Sequence, residues 1–314
     1  MPGTLITVYY LIAGSVLLWF GAETFVRSSS ALALRMGLTP LVIGLTVVAF
    51  GTSAPELGVS LISTARDMGD VATGNVVGSN IANIGLILGL AALIRPIRIE
   101  PKLLRFDVPL VVAASLLVTL LFGDGSLSRL EGGFLVLLLG GYLALSLRKS
   151  RLELDVNLPA VGESTGRRPV SIIVGLILAG LAMLVMGSFA FVNGAEELAI
   201  GLGVSPAVVG LTVVAVGTSL PEAATSVVAA WRGQGDIAVG NVVGSNLFNL
   251  LAILGLTGLV RPIARGDVTM VSFALMIGLA IALVPLMRTG FRLNRLEGAG
   301  LLVAYMAYIF WLVP

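Results

Sequence analysis

Apolar runs long enough to cross a bilayer follow one another along almost the whole chain, separated by short polar gaps. They fall near 4–26, 39–64, 71–94, 107–122, 132–147, 170–192, 205–230, 237–260, 269–287 and 297–313. A membrane helix needs about 20 apolar residues, so each run is read as one span, some of them tilted or broken. Helices follow from the length of the runs and from the need to satisfy every backbone group inside lipid. The predicted fold is an all-α membrane protein of ten transmembrane helices. The first run has no basic residue ahead of it and is read as a retained helix rather than a cleaved signal.

Composition agrees with the pattern. The chain is 57% hydrophobic and 11% charged, with a mean hydropathy of +1.04. A soluble domain carries about 25% charged residues, so there are too few here to cover a water-facing surface. The chain has no cysteine and no histidine. That excludes disulfides, thiolate and imidazole metal sites, and histidine-based catalysis. The basic pI does not indicate nucleic acid, because the basic residues sit in gaps between apolar runs.

Those gaps orient the chain. One alternate set, including Arg27, Arg95, Arg148, Arg232 and Arg292, holds 15 of the 19 Lys and Arg; Arg66, Arg129, Arg261 and Arg265 occupy the other. The richer set is expected in the cytoplasm. The expected location is therefore the cell (plasma or inner) membrane, multi-pass, with both termini extracytoplasmic. Residues 148–169, with Pro159, Gly162 and Gly166, read as a cytoplasmic linker.

The linker divides two related halves. Residues 40–97 align with 206–263 without a gap at an offset of 166, with 34 identities in 58 positions. The expected units are a first five-helix repeat at 1–147 and a second at 170–314. Five is odd, so the second copy enters the membrane from the opposite side. The expectation is two inverted-topology five-helix repeats with a site at the midplane where they meet.

Glu56 and Glu222 are equivalent residues near the middle of the second and seventh spans. A carboxylate at that depth costs on the order of 3 kcal/mol if it faces lipid, but it is tolerated beside a partner, a cavity or an ion. Pro55 and Pro221 precede the glutamates. Lacking an N–H, each is expected to free the carbonyl four residues back, on Gly51 or Gly217. Thr52 shares a helix face with Glu56, and Ser53 lies close to it. Ser79 and Asn83 share a face of the next span, with Asn75 one turn earlier. The copies are Thr218, Ser219, Asn241, Ser245 and Asn249. All are oxygen donors, which suit Na+, Ca2+ or Mg2+ rather than zinc or copper. Asn80 and Asn246 lie off that face and are expected to hydrogen-bond between helices. Asp70 and Asp236 are expected to cap helix N-termini, and Glu196 and Glu197 to lie at a solvated helix end.

The paired Gly-Thr-Ser-x-Pro-Glu and Gly-Asn-x-x-Gly-Ser-Asn-x-x-Asn stretches resemble the two alpha-repeats of the cation/calcium antiporter superfamily, above all the prokaryotic sodium/calcium exchangers. The resemblance implies four clustered cation positions. By motif match their ligands are the side chains of Thr52, Ser53, Glu56, Ser79, Asn83, Thr218, Ser219, Glu222 and Ser245, with the carbonyls of Ala49 and Ala215. It also implies a sliding of the first and sixth spans around a fixed site. Asn249 departs from the family, much of which has Asp there. The oxygen is kept and a titratable charge is lost, which puts potassium dependence in doubt.

The expected function is secondary active exchange of Na+ for Ca2+ by alternating access. Both ions are bound as substrates, no cofactor is expected, and the lipid bilayer is the only other partner implied. The alternative is H+/Ca2+ exchange, with protons replacing Na+ on the buried glutamates. A passive channel would more naturally build its symmetry from several subunits. An enzyme is disfavoured, since Ser53 and Ser219 have no base and no nucleophile-elbow pattern.

Overall fold

The computed structural model describes residues 2–154, 169–202 and 217–312. Its helices, in chain order, are α1 (Pro2–Met36), α2 (Pro40–Thr52), α3 (Ala54–Ala65), α4 (Gly69–Ile94), α5 (Leu103–Asp124), α6 (Arg129–Leu154), α7 (Val170–Gly201), α8 (Leu220–Trp231), α9 (Gly235–Val260), α10 (Met270–Arg288) and α11 (Arg295–Leu312). Among the described residues, eight helices are long and apolar enough to cross a membrane. The pair α2 and α3, bent by 43° at its junction, makes a ninth. The first part of the predicted seventh span, with Ala215, lies outside the described residues; α8 is its described end.

Several predicted boundaries move. Helix α1 does not stop at residue 26 but continues through Arg27 and Arg35 to Met36. Arg27 is accommodated by Glu23 one turn earlier, at 3.0 Å, and Glu23 also pairs with Arg232 from the other half of the chain. Helix α6 runs on to Leu154, so the first residues of the predicted linker are helical; 155–168 lie outside the described residues. The fold is not purely α. Four two-residue strands form two antiparallel ribbons: β1 (Ile97–Arg98) with β4 (Arg292–Leu293), and β2 (Ser126–Leu127) with β3 (Ile263–Ala264). Asp70 and Asp236 lie in the first turns of α4 and α9, but Met68 and Gln234 are the N-cap residues and neither helix has a side-chain cap bond. The acids still sit where the helix dipole favours negative charge.

Helices α1 and α7 approach until backbone meets backbone. A Cβ on Gly21 would lie 3.0 Å from the Gly180 carbonyl oxygen, and one on Gly187 would lie 3.0 Å from that of Gly14. Small residues permit this approach, and close packing is the main attraction between helices in lipid. Gly14 and Gly21 correspond to Gly180 and Gly187 at the same 166-residue offset, so the two contacts exchange partners. The same exchange relates Gly89 against Gly298 to Gly132 against Gly255. It also relates β1–β4 to β2–β3. Residue i of one half meets j of the other, and the copy of j meets the copy of i, as across a two-fold axis.

The offset extends further than 40–97. Leu127-Ser128-Arg129-Leu130-Glu131-Gly132 recurs as Leu293-Asn294-Arg295-Leu296-Glu297-Gly298. Both stretches form the same capping box. Glu131 accepts from the Ser128 N–H at 2.7 Å, and Glu297 accepts from the Asn294 N–H at 2.7 Å. Each box starts the last helix of its half.

Candidate functional site

The glutamates do not sit in unbroken helices. Ser53 leaves the helical region, with φ −80° and ψ 4°, and Ser219 does the same with φ −88° and ψ 7°. Pro55 and Pro221 then fall in the first turn of α3 and α8, where no N–H is needed. The break expected in these spans is thus the start of a new helix rather than a kink in one, and Glu56 and Glu222 lie in its first turn. Helix α3 thus directs its N-terminal N–H groups and positive dipole end towards the acidic site, and α8 does the same. The Ala49 carbonyl accepts from Ser53 N–H at 3.0 Å and has the Thr52 hydroxyl 3.3 Å away.

Each half serves the other's glutamate. Ser53 donates to Glu222 Oε1 at 3.0 Å, and Ser219 donates towards Glu56 Oε1 at 3.1 Å. Ser219 Oγ also lies 3.2 Å from Ser79 Oγ. The Thr52 hydroxyl is 3.1 Å from Asn241 Oδ1. One centre therefore holds Thr52, Ser53, Glu56, Ser79, Ser219 and Glu222, contributed by both halves. All six are buried, and the glutamates are 1% and 0% exposed.

A second layer holds these residues in place. Asn75 Nδ2 donates to the Glu56 carbonyl at 3.1 Å and to Ser60 Oγ at 3.0 Å. Asn241 makes the copied contacts, to the Glu222 carbonyl at 3.4 Å and Ser226 Oγ at 2.9 Å. Ser60 and Ser226 escaped the sequence reading, although they are identical in the two copies and lie four residues after each glutamate, on its helix face. Asn83 donates to Asn246 Oδ1 at 3.0 Å, so Asn246 bonds between helices as expected. Asn80 does not: its amide donates to Val76 O of its own helix at 2.7 Å. Angular position on a helix cannot separate those two outcomes.

Several buried oxygens on the glutamates and on α4 and α9 have no hydrogen-bond partner. They include Glu56 Oε2, Glu222 Oε2, Asn83 Oδ1, Asn249 Oδ1 and Ser245 Oγ. An unpaired buried oxygen costs about 1–3 kcal/mol, more when it is charged, and a bound cation relieves that cost. The wide turns at Asn83–Leu88 in α4 and Phe248–Ile253 in α9 place Asn83 and Asn249 where the i→i+4 ladder is interrupted. Among the described residues, no cluster of three acidic, histidine or cysteine side chains exists. The centre combines two carboxylates with neutral oxygens, a donor set that suits a hard cation.

A cavity of about 500 Å³ reaches this centre along α4, lined by Asn75, Ser79 and Thr218 at one end and by Asp70, Asp267 and Tyr308 further out. Thr218 is half-buried on its wall. Glu196 and Glu197 lie in the last two turns of α7, Glu197 exposed, and neither is among the cavity's lining residues.

The family model described as sodium/calcium exchanger protein matches residues 6–148 and 172–313. The sodium/calcium exchanger MaX1 of Methanosarcina acetivorans is 34% identical over 97% of this chain and 98% of its own. The inner membrane protein YrbG of Escherichia coli is 35% identical over 99% of this chain and 98% of its own. The solved structure of the sodium-calcium exchanger NCX_Mj soaked with zero Na+ and Ca2+ superposes with a TM-score of 0.85, at 31% identity, over 98% of this chain and 99% of that one.

Proposed function

The chain belongs to the sodium/calcium exchanger family of the cation/calcium antiporter superfamily, and from that premise we propose that it exchanges Na+ for Ca2+ by alternating access at the Glu56/Glu222 centre. The observation that carries this reading is the reciprocal pair of serine–glutamate bonds, Ser53 to Glu222 and Ser219 to Glu56, with the second oxygen of each carboxylate buried and unpartnered. Two carboxylates balance one Ca2+, and several Na+ ions compete for the same oxygens. The ligands in this reading are the side chains of Glu56, Glu222, Thr52, Thr218, Ser53, Ser219, Ser79, Ser245, Asn83 and Asn249, with the carbonyls of Ala49 and Ala215.

The architecture in this reading is ten spans, as two five-helix repeats of opposite topology on either side of a cytoplasmic linker, with both termini outside. The exchanged contacts between the halves support it, as does the excess of arginine in one set of gaps. A charged, ion-free centre resists the transition across the apolar barrier, and occupancy by Ca2+ or Na+ permits it. Radiolabelled Ca2+ uptake into Na+-loaded proteoliposomes tests the reading: uptake should require the outward Na+ gradient. Uptake at the same rate without any counter-cation gradient would remove antiport.

Proton exchange is the second reading, favoured by the fact that both acidic groups of the centre are carboxylates able to carry a proton. Uptake driven by a pH gradient in Na+-free buffer would put it first. The complete set of hydroxyl and amide oxygens beside each glutamate, which a proton does not need, supports Na+.

A further inference from the structure

We propose that the β1–β4 ribbon is a docking site for the phosphate headgroups of anionic phospholipids. The two ribbons are copies of each other, so their differences stand out against an otherwise shared design. Arg295 donates to the Ile94 carbonyl at the end of α4, and its copy Arg129 donates to the Val260 carbonyl at the end of α9. Arg95 reaches the Trp231 carbonyl at the end of α8, and its copy Arg261 pairs with Asp67. The ribbon-end arginines that have a counterpart thus each have a structural partner.

Arg98 and Arg292 have no arginine counterpart. They stand directly opposite one another in the β1–β4 register, both exposed, where β2–β3 sets Ala264 opposite Ser126. Like charges directly opposite on a ribbon repel. The shared fold of the two ribbons shows that the pairing does not need them.

A third difference lies beside Arg292. Gly125 turns the chain into β2 with φ 95°, and its carbonyl accepts from Arg265 N–H at 2.9 Å. The copy of that turn is Phe291, with φ 50°, and its carbonyl accepts from Ile99 N–H at 2.9 Å. Glycine adopts this left-handed backbone freely and a bulky aromatic does not. Phe291 holds the strained conformation while remaining 47% exposed. Two arginines forced together beside an exposed aromatic residue, at the mouth of a membrane helix, form an interfacial anchor. The guanidinium pair matches phosphate oxygens, and the ring enters the headgroup boundary. A lipid phosphate between Arg98 and Arg292 turns their repulsion into two charge-assisted bonds, and each interfacial arginine adds roughly fivefold to partitioning onto an anionic surface.

The test transplants the copy's own residues, which the fold already accepts: Arg98→Ala with Arg292→Ser, and separately Phe291→Gly. The full-length protein is unfolded thermally in detergent alone, with added phosphatidylcholine, and with added phosphatidylglycerol. Phosphatidylglycerol is expected to raise the wild-type midpoint above the phosphatidylcholine value, and the double variant should lose about half of that increment or more. Phe291→Gly should melt higher than wild type in detergent alone, through relief of the strained turn, yet gain less from phosphatidylglycerol. A matched control, Arg66→Gln with Arg148→Gln, removes two exposed charges elsewhere and should keep the increment. The proposal is overturned if the double variant keeps the full increment or the control loses as much. An equal increment from soluble glycerol phosphate would overturn the membrane lipid as its source. None of these readouts depends on transport, so they stand or fall apart from the exchange reading.

Discussion

Helices α4 and α9 carry the same heptapeptide, Gly-Asn-Val-Val-Gly-Ser-Asn, at 74–80 and 240–246, and meet different surroundings. All of the apolar stretch of α9 is buried, against 72% for α4. Gly240 packs on the α2 backbone, where an added Cβ would lie 2.9 Å from Leu41 O. At Gly74 the nearest described atom, Val268 Cγ2, lies at 3.8 Å. Asn75 and Asn241 make the same bonds, yet Asn241 is fully buried while Asn75 lines the cavity. Two copies of one sequence thus share their chemistry, while the surroundings described for α9 include the α2 backbone and those described for α4 do not, since 206–216, the copy of 40–50, lies outside the described residues.

The comparison breaks most severely if the chemistry is not shared. Glu56→Gln and Glu222→Gln should each lower Na+-driven Ca2+ uptake by roughly a hundredfold or more, the ~3 kcal/mol that removing one member of a buried charged contact costs. The two losses should be alike, because each carboxylate is held by the other half's serine. Size-exclusion profiles should match wild type. A variant that keeps transport would show the two glutamates to be unequal and would remove the centre of the exchange reading.

Packing provides the next test. Gly240→Ala should destabilise the protein by about 1–3 kcal/mol, since backbone of α2 must move to admit the methyl group. Thermal unfolding against wild type in one detergent checks it, and an unchanged midpoint would mean that the Gly240 contact does not hold α9 against α2.

How much of this was legible in the sequence follows from what each feature leaves in the chain. Span lengths are written in the apolar runs, and the Glu56 and Glu222 neighbourhoods are written twice, so the centre could be assembled before any coordinates. The break at Ser53 could not, because Pro55 is equally compatible with a kinked helix and with the first turn of a new one. The continuation of α1 past Arg27 depends on Glu23 pairing with Arg232, a contact across 209 positions with no local signature. Two-residue strands are too short to show a period. The repeated Leu-x-Arg-Leu-Glu-Gly was readable, but the apolar residues after it diverge and hide the relation.

Accessibility can be measured directly, since the chain has no cysteine of its own. Val59 lines the cavity and its copy Thr225 is fully buried. A membrane-impermeant thiol reagent should modify Val59→Cys roughly tenfold faster or more than Thr225→Cys, as protection of a closed site requires. Conditions that slow labelling at position 59 should expose position 225 from the opposite face if the two halves exchange roles. Simultaneous labelling of both positions would indicate a continuous pore and favour a channel.

The smallest effect is expected at the one pair of wide turns where the copies differ in hydrogen bonding. The Oδ1 of both Asn83 and Asn249 has no partner, but among the described residues only Asn83 donates its amide across helices, to Asn246. Asn249→Asp keeps an oxygen in place and, in the proposed reading, adds a third carboxylate to the ligand set. Its fold should be unchanged, with apparent Na+ or Ca2+ affinity shifted by roughly tenfold or less, ~1.4 kcal/mol. Acidification discharges the added group, so the variant should approach wild-type behaviour as pH falls and depart from it as pH rises. Asn83→Asp should cost more in stability, because the carboxylate loses the donated hydrogen bond and meets Asn246 Oδ1 with like charge. Uptake measured across pH for both variants, with unfolding midpoints alongside, checks the ordering. A pH profile of Asn249→Asp identical to wild type would mean that this position does not touch the transported ion.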